Sequence, residues 1–195
     1  FLLFNRGDMA GGKGAEPARP RRQTVAFVLR DGQNIYLAIH CFEPEMGRVR
    51  SDKSNFVRYD GLVPSGEDLV EVLLDPGNAG LPGSGQLYHV VVKHNGVLIS
   101  ERGVGVSPPI GAHGPWPAGI QARVVDAADR WIVEMAIPLS AFDEAGRSSN
   151  IWGLNIGRFQ ASRGEYSNWA GARRYLYNAQ SLGNIVWLPR PADAF

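Results

Sequence analysis

The sequence predicts an all-β fold: an antiparallel β-sandwich, jelly-roll-like in form, with one or two short helical turns. Three observations carry that expectation. Short apolar runs recur along the chain, and most of the 13 prolines and 24 glycines fall between them, as turns fall between strands. No stretch holds a helical period for more than about two turns. About nine or ten strands at short spacing suit a sandwich better than a parallel sheet with crossover helices.

Taken in order, the first strands are Thr24 to Leu29 and Ile35 to Phe42, joined across Arg30-Asp31-Gly32-Gln33, a hairpin signal. The next are Asp68 to Leu74, Leu87 to Lys93, Val97 to Ser100, Ile120 to Val125, Trp131 to Ile137, Ile151 to Gln160 and Asn184 to Leu188. Asn95-Gly96 between Val92 and Ile99 suits a type I′ turn. Pro138 makes Leu139 to Glu144 the best candidate for a helical turn. One domain is expected over residues 1–195, with its core at about 23–189 and a flexible loop at about 7–22.

The bulk numbers narrow the function. Apolar residues make up 44% and charged residues 20%, an ordinary globular balance. A net charge of +1 excludes a strongly basic nucleic-acid surface, and Arg19, Arg21 and Arg22 read as a solvated loop. No apolar run reaches the ~18 residues of a membrane helix. Cys41 is the only cysteine, so no internal disulfide forms, and its apolar neighbours make it a small core residue. A first residue of Phe rather than Met reads as a piece excised from a larger multidomain protein.

The strand from Asp68 to Asp75 is the most informative segment. Period-two alternation turns Val70, Val72 and Leu74 to one face and Leu69, Glu71 and Leu73 to the other. Both faces are apolar except for Glu71, and a half-buried carboxylate needs a partner. That partner is either a structural ion pair or hydrogen bond, or the hydroxyls of a sugar held in a shallow cleft. The next strand places His89 beside Glu71, either as a cleft wall or as a satisfied core residue. On the strand from Ile151, Asn155 and Arg158 fall on opposite faces. Asn155 reads as a backbone brace, and Arg158, with its planar fork of donors, as the ligand candidate.

Sugar rings stack their C–H faces on flat side chains. Trp116 in the rigid His113-Gly-Pro-Trp-Pro loop, Tyr175 and Tyr177 in an Arg-rich loop, and Trp169 at a strand end are therefore the candidate platforms. Trp131, Trp152 and Trp187 read as packing. No nucleophile elbow, zinc-protease helix, phosphate loop or Cys/His metal spacing is present. Glycoside cleavage needs a carboxylate pair, and nothing marks one out among Glu71, Asp75, Glu101 and Glu134. The chain is read as non-catalytic.

An ordered set of segments resembles the family 9 carbohydrate-binding modules and their DOMON-related relatives. The set is Asp31 to Ile39, Asp68-Leu-Val-Glu71 through Asp75-Pro76, Trp131-Ile-Val-Glu134 through Leu139, Trp152-Gly-Leu-Asn155-Ile-Gly-Arg158, Ser167-Asn-Trp169 and Ser181-Leu-Gly183-Asn-Ile. The resemblance implies a jelly-roll-like sandwich attached to a secreted, hence extracytoplasmic, bacterial enzyme that degrades polysaccharide. It also implies a poly- or oligosaccharide ligand contacted by Glu71, a neighbouring catalytic domain as partner, and structural calcium in some members. His89 stands where binding members carry an arginine. Their two clamping tryptophans align near Ser65 and near Leu176, the latter flanked by Tyr175 and Tyr177. For calcium, Asp75, Asn78 and Glu43 are the candidate oxygen ligands. A structural β-sandwich spacer without ligand is the alternative.

Overall fold

The computed structural model describes residues 2–3, 5–6, 19–60, 63–78, 87–103, 113–171, 180 and 182–188. In chain order the strands are β1 (Leu2–Leu3), β2 (Asn5–Arg6), β3 (Thr24–Arg30), β4 (Asn34–Phe42), β5 (Tyr59–Asp60), β6 (Val63–Pro64), β7 (Leu69–Asp75) and β8 (Leu87–Lys93). They continue as β9 (Leu98–Gly103), β10 (His113–Pro115), β11 (Gln121–Asp126), β12 (Arg130–Pro138), β13 (Ile151–Gln160), β14 (Glu165–Asn168) and β15 (Gly183–Val186). A 3-10 turn at Leu139–Ala141 and helix α1 (Glu144–Ser148) follow Pro138, where the proline signal placed a helical turn.

The strands form a five-stranded sheet, β1-β3-β4-β12-β11, and an eight-stranded sheet, β10-β9-β8-β7-β13-β14-β2, with β15 also on β13. β14 and β15 share one edge of β13, pairing with Gly157 to Gln160 and with Ile151 to Leu154 respectively. The pairings within both sheets are antiparallel, as expected of a sandwich.

Alternation explains where the core sits. β4 turns Ile35, Leu37, Ile39 and Cys41 inward, and β12 turns Trp131, Val133, Met135 and Ile137 inward. They meet Val70, Val72, Leu74, Tyr88, Val90, Val92, Trp152, Leu154 and Ile156 of the larger sheet. Burying each large side chain contributes about 1.5–3 kcal/mol, so this layer dominates stability. The Cys41 thiol is buried there, and burial pushes it up to about 12, which makes it an inert core group.

β7 and β8 are buried on both faces because a second apolar cluster covers the outer side of the larger sheet. It comprises Leu69, Leu73, Leu87, Val91, Phe159 and Tyr166, with Val57 and Leu182 packed against them.

The β8–β9 hairpin differs from the type I′ expectation. Only Gly96 has a positive φ there, 86°, and its N–H donates to the Lys93 carbonyl at 2.9 Å while Lys93 N–H donates to Val97. This is a three-residue loop closed by a glycine bulge. Asn95 is instead occupied in tying down a neighbouring loop: its side-chain amide donates to Asp52 O at 2.6 Å.

Candidate functional site

The outer face of the larger sheet brings Glu71 and His89 together, as the alternation in their strands implies. Glu71 Oε1 lies 3.2 Å from His89 Nε2, and the Tyr166 hydroxyl donates to Glu71 Oε2 at 3.4 Å. The other ring nitrogen of His89, Nδ1, stands 3.5 Å from Glu101 Oε1 on β9. Burial works against a charged imidazole, but hydrogen bonds and charge from Glu101 and Glu71 outweigh it and hold His89 up at about 9. The result is a carboxylate–imidazolium–carboxylate row on a greasy sheet.

This row is not the open hollow that the sequence suggested. The Glu71 side chain is only 3% exposed, whereas Glu101 at the rim is 33% exposed. Beside it, buried Lys93 donates to Asp52 Oδ1, Ser54 O and Ser54 Oγ, all at 3.0 Å, and pairs with Glu67 Oε2 at 2.8 Å. Hydrogen bonds from the Ser54 hydroxyl and from Lys93 hold the Asp52 carboxyl well below the usual carboxylate range. These contacts strap residues 51–58 onto the sheet, with Val57 over the apolar cluster.

The architecture has solved counterparts. A family 9 carbohydrate-binding module from Caldicellulosiruptor kristjanssonii, in complex with cellotriose, matches with a TM-score of 0.61 at 17% identity. The match covers 91% of this chain and 81% of that one. A family 9 module from the same organism in complex with glucose matches with a TM-score of 0.62 at 16% identity, covering 98% and 87%. The chain has the family 9 module fold. No family model matches the sequence, and no curated protein does. The resemblance read in the sequence is therefore one of fold.

Within that family 9 module fold, several candidate residues take other positions. Arg158 turns between the sheets and is 1% exposed, so it is no ligand contact. Its Nη1 donates to Phe42 O at 3.0 Å and to Thr24 Oγ1 at 3.4 Å, and its guanidinium lies 6.0 Å from the Trp131 ring centroid. Burial raises the pKa of nearby Asp68, with Arg158 among the opposing influences. Asn155 braces the backbone as read: its Oδ1 accepts from Ile156 N at 2.9 Å and Ala170 N at 3.0 Å.

Trp116 is buried too. Its rigid loop presses the ring onto Tyr88 and Phe142, with centroids 4.7 and 5.2 Å away, and Nε1–H donates to Ala141 O. Trp169 packs its ring against the inter-sheet core and over Gly183, where an added Cβ would come within 2.7 Å of it. Tyr175 and Tyr177 lie outside the described residues.

The calcium set does not converge. Glu43 follows β4, where its Oε1 accepts from Glu45 N at 3.0 Å and Gln160 donates to Oε2. Asp75 closes the far end of β7, and Asn78 (φ 44°) follows in the turn whose N–H donates to Asp75 O. Gln160 and Asp75 mark opposite ends of the β7–β13 ladder, a separation of roughly 20 Å at strand rise. Among the described residues no group of three or more His, Cys, Asp or Glu is arranged to hold a metal. Of the carboxylates considered for glycoside cleavage, Glu71 and Glu101 flank His89, whereas Asp75 sits at the end of β7 and Glu134 on the outer face of the other sheet.

Sequence reasoning missed Tyr166, and it weighed Glu101 only as a cleavage carboxylate, not as a partner of His89. Tyr166 reaches Glu71 because Gly157 leaves room beneath its ring. A glycine in the middle of an apolar strand was the available signal.

Proposed function

We propose that this domain is a non-catalytic carbohydrate-binding module of an extracytoplasmic bacterial protein that acts on polysaccharide. The observation that carries the reading is the fold, shared over nearly the whole chain with modules solved in complex with glucose and cellotriose. The polar row on the outer sheet supports it in a specific way. A sugar hydroxyl would meet Glu101 at the rim first, while His89 and Glu71 hold that carboxylate in place from beneath.

The buried state of Glu71 favours one second reading, an interdomain sandwich that carries no ligand. Affinity electrophoresis through gels containing soluble β-glucans, xylans and mannans separates the two. Retardation by at least one of these polysaccharides supports the module; unretarded migration in every gel leaves the spacer.

A further inference from the structure

We infer that the outer face of the five-stranded sheet is a glycan-binding groove, separate from the Glu71 row; the inference rests on the carbohydrate reading above. The face carries a concave trough of about 660 Å³ across β3, β4, β12 and β11. A trough of that size is in the small-ligand range.

Its shape follows from the register. In one row across the strands Phe27 stands opposite Ala38, Ala38 opposite Glu134, and Glu134 opposite Arg123. In the next, Tyr36 stands opposite Ala136, and Ala136 opposite Gln121. The two small alanines in adjacent central strands make the floor, and the long side chains on either side make walls. Four strands at the usual spacing give a trough ~14 Å across, the reach of a short oligosaccharide.

The walls differ in chemistry. On one side are rings, Phe27 at 46% exposure and the partly buried Tyr36, whose hydroxyl is anchored to Asp31 Oδ2 at 3.0 Å. On the other side stand exposed planar polar groups, the Gln121 amide, the Arg123 guanidinium and the Glu134 carboxylate. Arg123 and Glu134 cancel in formal charge, which matches a neutral ligand rather than a phosphate or a uronate. A ligand with an apolar face for the rings and many hydroxyls for planar donors and acceptors is a neutral saccharide.

The probe is cellohexaose, titrated calorimetrically into wild type, Phe27→Ala and Ala136→Phe. The first variant removes a wall and the second fills the floor from a surface position. Both are expected to weaken binding by about tenfold or more, with the melting temperature of Phe27→Ala nearly unchanged. Wild-type affinity in both variants would overturn the groove and leave the carbohydrate reading standing. A wild type that binds neither cellohexaose nor any polysaccharide in the gels would remove both. Sedimentation covers the other occupant: a concentration-dependent dimer of wild type that Ala136→Phe dissociates would assign the face to a second copy and overturn the inference.

Discussion

Tyr166 lies across Gly157 and donates its hydroxyl to Glu71 on the neighbouring strand. An added Cβ at residue 157 would overlap that hydroxyl and come within 2.9 Å of the Tyr166 Cζ atom. Glycine here is a spatial requirement rather than a conformational one. Gly157→Ala is expected to cost about 1–3 kcal/mol by overpacking, read as a lower urea midpoint. Tyr166→Phe, which removes only the hydroxyl, should cost about 0.5–1.5 kcal/mol. Equal stability of Gly157→Ala and wild type would show that the ring is not seated there.

The His89 row predicts a pH dependence of definite sign. His89 is held at about 9, above the ordinary 6.5, so the folded state binds its proton more tightly than the unfolded chain. The stabilisation, on the order of 3 kcal/mol, is complete below pH 6.5 and is lost as pH rises through 9. Urea midpoints at pH 6 and pH 9.5 should differ markedly for wild type and much less for His89→Gln. The same drop in both proteins would remove His89 as its source.

Lys93 makes the loop strap testable. Its ammonium is fully buried among Asp52, Glu67 and the Ser54 oxygens. Lys93→Ala leaves the Glu67 carboxylate buried without this counter-charge, and such losses run to about 3–5 kcal/mol. The expected result is a lower melting temperature together with faster amide exchange at residues 51–58. A melting drop without faster loop exchange would contradict the strap.

The alternation of apolar and polar residues fixed most of this fold in advance. The inward sets of β4, β7 and β12 and the pairing of Glu71 with His89 follow from period two, and the glycines on either side of Asn155 marked its bracing role. The alternation also put Arg158 on the face opposite Asn155, but it does not say which face is wet. At the end of β13 the inward side holds a polar pocket of Thr24, Glu43 and Gln160, where a guanidinium is accommodated. Trp116 eluded the pattern because proline-rich loops fold back onto cores as readily as they project. Phe27 and Tyr36 alternate with core residues on their strands, so their outward direction was readable. The trough itself depends on which side chains stand opposite them across four strands, and only register reveals that.

Trp116 separates scaffold from site. Its buried ring packs with Tyr88 and Phe142. Trp116→Ala should cost about 3–5 kcal/mol as a core truncation. Below its melting temperature the variant should keep wild-type retention in glucan gels. Lost retention in the folded variant would return Trp116 to the binding surface.

Nuclear magnetic resonance titration of the whole domain with cellotriose tests the central claim most directly. The account predicts saturable amide shifts that cluster on an outer sheet face, with Phe27, Tyr36 and Ala136 of the five-stranded sheet among the most affected. A spectrum unchanged at millimolar cellotriose and at millimolar concentrations of xylo- and manno-oligosaccharides would contradict it, and the domain would then be a scaffold.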